Sequence, residues 1–336
     1  MSALFESPEE PGDSFDGSTN VRLAPVRGVD TRRNLDKTLF VKRPAVFTAK
    51  FAFAVALIAA GWAAVVLWPS WPVVVAATLV IGPMYAHLVE LQHECLHEHA
   101  YNRRWCNRLV GFLCGVPMLS SFWHYKYEHL RHHAFLGTKQ NQEFFNYRFD
   151  DLHTVHGFAR GCFHLGRYVD VARDIGRSVV GRTNPAISKP SAAKKVRTEY
   201  LAFVVVLAAA VAFTVGTGSP LLLFTWVIPT LLLAEPIHFL IELPEHFGLN
   251  TQTDPNVLTN TRTVRAGRFA RWFTNSNDVH TAHHYHQGVP MAQVRKLHRM
   301  IADRVATVDP SYWQFYKKVL TGELRYLDPS ATFKTR

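Results

Sequence analysis

The stretch His93-Glu94-Cys95-Leu96-His97 stands at the end of an apolar run, and two of its kind follow: His129-Leu130-Arg131-His132-His133 and His280-Thr281-Ala282-His283-His284. On a helix, side chains three and four residues apart share a face, so each cluster presents its imidazoles together and the clusters can converge on one centre. A single histidine pair arises easily by accident. Three matched clusters beside apolar segments point instead to one metal site. Neutral imidazole suits zinc, copper, nickel and iron, and spacing alone leaves that choice open.

Around the clusters the chain is strongly segregated. The 48% hydrophobic content of its 336 residues is ordinary, but there is no Lys or Arg from Phe51 to Asn102 and none from Thr198 to Thr261. The first tract breaks at Pro69-Ser70-Trp71-Pro72, leaving apolar segments from Ala45 to Trp68 and from Val73 to Val89. The second breaks at Gly216-Thr217-Gly218-Ser219-Pro220, leaving Tyr200 to Val215 and Leu221 to Ile241. Each segment has about the length that crosses a hydrocarbon core, and none carries the polar stripe of a helix on a soluble domain. These features predict an all-α membrane protein whose four transmembrane helices form two hairpins, at 45–89 and 200–241.

Charge orients the hairpins. Their short loops carry none, whereas Lys37, Lys42, Arg43, Arg103, Arg104, Arg108, Lys194, Lys195, Arg197 and Arg262 flank the other ends, which places both termini in the cytosol. All three clusters then lie on the cytosolic side, where a helical cap can hold a shared site. The basic flanks account for much of the net charge of +11, so no nucleic-acid partner is inferred; anionic lipid or an acidic protein fits that surface. The polar residues 1–44 read as a mobile cytosolic tail without a secretory signal, 45–325 as the membrane domain and 326–336 as a C-terminal tail. Cys95, Cys106, Cys114 and Cys162 lack CxxC spacing and are expected to be reduced thiols.

Between the hairpins, Leu109 to Phe122 is apolar but short and holds Gly115 and Pro117, which suggests a re-entrant or interfacial segment. Val155, Phe158, Cys162, Leu165 and Val169 recur at helical spacing among arginines, as on a helix lying on a membrane or packed on the cap. Gly181 to Ala193 reads as a linker.

The order HxxxH, HxxHH, HxxHH around two hydrophobic tracts resembles the membrane fatty acid desaturase and hydroxylase superfamily, over roughly Ala45 to His298. Trp123-His124-Tyr125-Lys126-Tyr127-Glu128 before the second cluster and Arg262-Thr263-Val264-Arg265 before the third are similar to the text flanking the boxes in bacterial members. The resemblance implies a histidine-held pair of iron ions that uses O2 to oxidise unactivated C–H bonds. It also implies a ligand between the second and third boxes, at the end of the fourth span, where Glu242-Leu243-Pro244-Glu245-His246 supplies His246. The implied ligands are therefore His93, His97, His129, His132, His133, His246, His280, His283 and His284. Iron agrees with the chemistry, because attack on a methylene C–H bond needs a redox-active metal and zinc has no redox chemistry.

Glu94, Glu98, Glu128 and Asp278 are candidates to orient these ligands. His99 points away from the face shared by His93 and His97 on a helix, while His87 and His238 lie within the apolar tracts, lining a cavity or packed in the core. His124, His238 and His286 are candidates for support around the site. His153, His156, His164 and His298 read as surface or packing residues.

The expected reaction is introduction of a double bond into a fatty acyl chain carried by lipid or by an acyl carrier; hydroxylation of a lipid, carotenoid or specialised metabolite uses the same implied site. Ala282 inside the third box, where relatives often carry Glu, and Tyr285-His286-Gln287 after it leave the subclass open. There is no His-Pro-Gly-Gly haem motif, so electrons are expected from a separate ferredoxin and its reductase. A membrane metal-binding or transport protein is the reading from another class. Its path would need polar groups across the bilayer, and His87, Glu90, Glu235 and His238 all lie toward one end of the spans.

Overall fold

The computed structural model describes residues 35–142, 145, 147 and 149–327. Residues 1–34 of the expected N-terminal tail and 328–336 of the C-terminal one lie outside the described residues. The remainder of the N-terminal tail is packed. A 3-10 turn at Lys37–Phe40 is capped by the Asp36 carboxylate and buries Leu39 against the segment that follows the third cluster.

Helices α1 (Pro44–Leu67) and α2 (Trp71–Leu96) begin with a proline in the first turn, where the missing N–H has no helical partner to lose. They pack along one another. Nothing between Val89 and Leu96 breaks the helix, so α2 runs beyond its expected end and carries the first cluster in its last turn. After α3 (Arg104–Gly115), a 3-10 turn at Val116–Met118 and a left-handed Leu119 (φ 51°) reverse the chain into α4 (Phe122–Phe135), which holds the second cluster. The apolar stretch expected to be re-entrant is thus divided between two elements.

The proposed amphipathic segment is likewise two helices, α5 (Val155–Cys162) and α6 (Gly166–Val179). Val155 is 90% exposed while Cys162 is buried, so the five spaced residues do not form one stripe. Pro190 opens α7 (Pro190–Thr217), three residues before the expected end of the linker, and a left-handed Gly218 (φ 62°) closes it.

The fourth long helix, Leu223–His246, contains Pro229, Pro236 and Pro244. Proline cannot donate to the residue four back and its ring crowds that carbonyl. The helix absorbs the first two prolines in π-helical turns at Leu223–Val227 and Thr230–Ala234, then continues as α8 (Glu235–His246). The Thr225 carbonyl, four before Pro229, accepts instead from the Tyr85 hydroxyl at 2.8 Å.

These four helices are long and apolar enough to cross a membrane. They divide into two inner and two outer members: 56% of the apolar stretch of α2 and 44% of that ending in α8 are buried, against 17% and 11% for those of α1 and α7. The outer pair therefore presents the lipid-facing surface. At Gly82 an added Cβ would lie 2.5 Å from Leu233 Cβ and 2.8 Å from the Pro229 carbonyl, so the inner helices meet at a contact that only glycine permits. Helix α7 packs on α4 and α6, while an apolar cleft of about 620 Å³, lined by Leu207, Val211, Trp226 and Leu231 among others, separates it from the fourth span.

The rest of the chain closes over the histidine-bearing ends of α2 and α8. It comprises α9 (Val257–Asn260), α10 (Arg268–Phe273), α11 (His280–Tyr285), α12 (Met291–Ile301) and α13 (Tyr312–Leu320). Among the described residues the one departure from an all-helical chain is a parallel pair of two-residue strands, β1 (Thr263–Val264) on β2 (Val308–Asp309).

Candidate metal centre

Four elements deliver imidazoles to one place. α2 brings His93 and His97, α4 brings His129, His132 and His133, α8 ends on His246, and α11 brings His280, His283 and His284. The nine rings separate into two neighbouring groups. In the first, donor atoms of His93, His97, His129 and His283 all lie within 4.8 Å of one another; in the second, those of His132, His246, His280 and His284 do. His133 joins them: its Nε2 is 2.9 Å from His283 Nε2 and 3.0 Å from His129 Nε2, and its ring stacks on His284 with centroids 4.1 Å apart.

Local sequence explains the convergence. Spacings of three and four put His132 and His133 each about one turn after His129 on the same side of α4. Left-handed Asn275 and Ser276 (φ 50° and 69°) turn the chain after α10, and a 3-10 turn at Asn277–Val279 leads into α11. That turn is tied to α2, because Asn275 Nδ2 donates to Glu94 Oε2 at 2.8 Å and its Oδ1 accepts from Lys50 at 2.7 Å. Buried Arg262 secures the end of α8: it donates to the carbonyls of Pro244 and Phe247, pairs with Asp309 at 2.9 Å and lies over the Phe315 ring. Burial lowers its guanidinium pKa to about 10.

The outward nitrogens fix which atom faces the centre. His246 Nδ1 lies 3.0 Å from the Asn260 carbonyl, which can only accept, so Nδ1 carries the proton and Nε2 presents a lone pair inward. Asn141 Oδ1 at 2.8 Å and Asn277 Oδ1 at 2.9 Å hold His132 and His280 in the same sense. The inward Nε2 atoms of His132, His246 and His280 are then 3.1 Å apart across each contact with His246. Facing lone pairs repel without a cation between them, and an all-imidazole donor set is what a borderline first-row metal takes. The residues present therefore fit a metal ion in each group.

Burial supports the same protonation state. His97, His129, His133, His280, His283 and His284 are all held well below their usual 6.5, first by desolvation and then by neighbouring imidazoles. Neutral rings are the ligating form. A cavity of about 50 Å³, with Asn141, Glu242, Glu245 and His246 on its wall, adjoins the second group and has room for a few waters.

Not every expected supporting group is used. Glu94 bonds Asn275, Glu98 pairs with Lys126 and Arg104, and Asp278 pairs with Arg295; among the described residues neither these nor Glu128 bonds a box histidine. The orienting groups are Asn141, Asn277 and the Asn260 carbonyl instead; the Glu245 carboxylate, 3.2 Å from His280 Nε2, lies on the inward side of that ring. Asn277 was visible in principle, since it precedes His280 by three residues. Asn141 reaches the site from a loop and Asn260 from the last residue of the four-residue α9, neither of which carries a periodic signal. His99 stays outside both groups; His87 stacks on Trp272 with its Nδ1 2.6 Å from the Phe273 carbonyl, while its buried Nε2 makes no hydrogen bond among the described residues. His124 lies 2.7 Å from the Tyr200 hydroxyl, away from both groups, and His286 packs on Phe40.

The chain is similar in sequence to known proteins over the part that builds this centre. A family model described as "Fatty acid desaturase" matches residues 69–316, which hold every histidine of both groups. The dihydrorhizobitoxine desaturase of Bradyrhizobium elkanii is 25% identical over 313 residues, covering 87% of this chain and 84% of that protein. Plant proteins match over shorter stretches: fatty acid conjugase FAC2 A of Calendula officinalis is 29% identical over 83 residues, 25% of this chain and 21% of its own. The Delta(9) fatty acid conjugase-like enzyme of Dimorphotheca sinuata is 34% identical over 62 residues, 18% of this chain and 16% of its own. Four apolar helices, a histidine-lined metal site and a family match across most of the length agree with one another: the chain is a membrane protein that belongs to the fatty acid desaturase family.

Proposed function

We propose that the protein is an O2-dependent diiron oxidoreductase that introduces a double bond into a fatty acyl chain. The observation that carries this reading is the pair of adjacent four-imidazole groups, joined by His133, at the inner ends of α2 and α8. Two irons held there by His93, His97, His129, His132, His133, His246, His280, His283 and His284 would supply the redox chemistry that activates O2. The balance is –CH2–CH2– plus O2, two electrons and two protons giving –CH=CH– and two waters. The chain's own contribution is to hold the imidazoles neutral and oriented through Asn141, Asn277 and Asn260, and to limit water at the second group to a small cavity. The apolar cleft beside α7 supports a substrate that arrives from the bilayer.

The same reading has the spans as two hairpins with both termini, the helical cap and the metal centre in the cytosol, which the basic residues flanking those helix ends support. Electrons come from a ferredoxin and its reductase, whose acidic surface suits the basic face. The test is product analysis by mass spectrometry after expression in a host with a ferredoxin system. A lipid fraction lighter by two hydrogens supports desaturation. A product heavier by one oxygen assigns hydroxylation, and no product with iron bound returns the protein to a binding role.

A further inference from the structure

We propose that Glu90, His238 and Glu242 form a cation site separate from the nine-histidine centre, taking one divalent first-row ion of the kind zinc represents. One donor atom from each lies within 4.8 Å of the others. His238 is fully buried, with Nδ1 3.5 Å from Glu90 Oε1 and Nε2 3.4 Å from Glu242 Oε1, yet neither ring nitrogen makes a hydrogen bond. A buried imidazole without a bond, aimed between two carboxylates, is a costly arrangement unless a further species joins them.

Glu235, seven residues before Glu242 on the same helix, shows how the fold satisfies a buried carboxylate when no ion is needed: Arg167 and the Tyr168 hydroxyl both bond its Oε1. At Glu90, by contrast, no Lys or Arg among the described residues forms an ion pair, and its remaining contact is Asn277 Nδ2 at 3.5 Å. Two carboxylates and one neutral imidazole balance a divalent charge. They also make a donor set richer in oxygen than the all-imidazole groups next to it, so the two sites differ in which metals they prefer.

The position gives the ion a task. Glu90 stands one turn before His93 on α2, and Glu242 one turn before His246 on α8, so a shared ion ties together the two helices that carry those ligands. Asn277, which orients His280, touches Glu90 as well. The ion thus acts as a positioning element for the centre and takes no part in the reaction. The inference needs only the triad and does not rest on the desaturation reading.

Iron-loaded, detergent-purified full-length protein, incubated with zinc and passed through gel filtration, is expected to retain about one zinc per chain in addition to its iron. Zinc-edge anomalous diffraction from such protein is expected to show that ion among the three side chains. Glu90→Gln and His238→Gln should each lose the zinc while keeping their iron, with Glu242→Gln as a further variant if one of them fails to fold. Absence of retained zinc in the wild type, an anomalous peak elsewhere, or full zinc retention in all folded variants overturns the triad site and leaves the diiron reading intact. A wild type without iron, in contrast, removes the diiron reading and leaves the zinc measurement to decide the triad.

Discussion

The Nε2 atom of His246 lies 3.1 Å from that of His280, although the two residues come from different elements and only His280 belongs to a visible histidine box. Each has its Nδ1 engaged on the outer side, by the Asn260 carbonyl and by Asn277. His246 is therefore built into the second group as firmly as the box residues are, and His238, two turns earlier on α8, is not part of either four-histidine group.

This separation gives the first expectation. His246→Ala should abolish turnover and lower iron content, whereas His238→Ala should keep its iron even where substrate turnover suffers. His132→Ala and His283→Ala, one from each group, should lose metal and activity together. Metal analysis alongside turnover decides the matter; wild-type activity in His246→Ala would remove it from the ligand set.

Orientation of His280 should matter nearly as much as its presence. Asn277→Ala removes the acceptor on Nδ1 and is expected to weaken metal retention about 10- to 100-fold against a competing chelator, with Asn277→Asp restoring part of it. Equal retention in wild type and Asn277→Ala would show that the ring needs no such support.

Six histidines of the centre hold pKa values well below 6.5 in the folded chain because burial disfavours their charged form. Below pH 6.5 the unfolded chain binds protons at these positions and the folded chain does not, so folding stability falls as pH falls. The thermal midpoint of metal-free protein should drop between about pH 7.5 and 5.5, and the drop should shrink when His283 is replaced by Gln. A flat profile over that window would contradict neutral buried rings.

The contact of the inner helices at Gly82 offers a structural test remote from the metals. Gly82→Val places methyl groups where Leu233 and the Pro229 carbonyl stand, at a cost of about 1–3 kcal/mol, and should reduce both folded yield and iron content. Gly216→Val, at a position with no neighbour within 4 Å, should leave both unchanged.

Topology is open to labelling. Single cysteines near Ser70 and Thr217 should react from outside the cell, and those near Arg104, Lys195 and Arg268 only from the cytosol. Reversed reactivity in either pair of spans would put the histidine boxes on opposite sides and contradict the shared centre.

The sequence by itself determined the helical class, the four long apolar segments and the identity of the boxes, because hydrophobic length and i, i+3, i+4 spacing are local properties that survive in one dimension. It also carried the break at Pro69 and Gly218, where proline and glycine act on their own backbone. The tertiary structure decided what depends on groups far apart in the chain. It assigned the nine histidines to two groups with His133 between them, which no spacing within a box implies. It replaced expected carboxylates with Asn141, Asn277 and a backbone carbonyl, since the acidic residues nearest the boxes found Lys126, Arg104, Arg295 and Asn275 closer to hand. It also divided the spans into inner and outer pairs: α2 and the span ending in α8 pack on one another and are about half buried, while α1 and α7 stay mostly exposed. Burial and hydrogen bonding are relations between partners, and a chain read one residue after another contains the partners without their meeting.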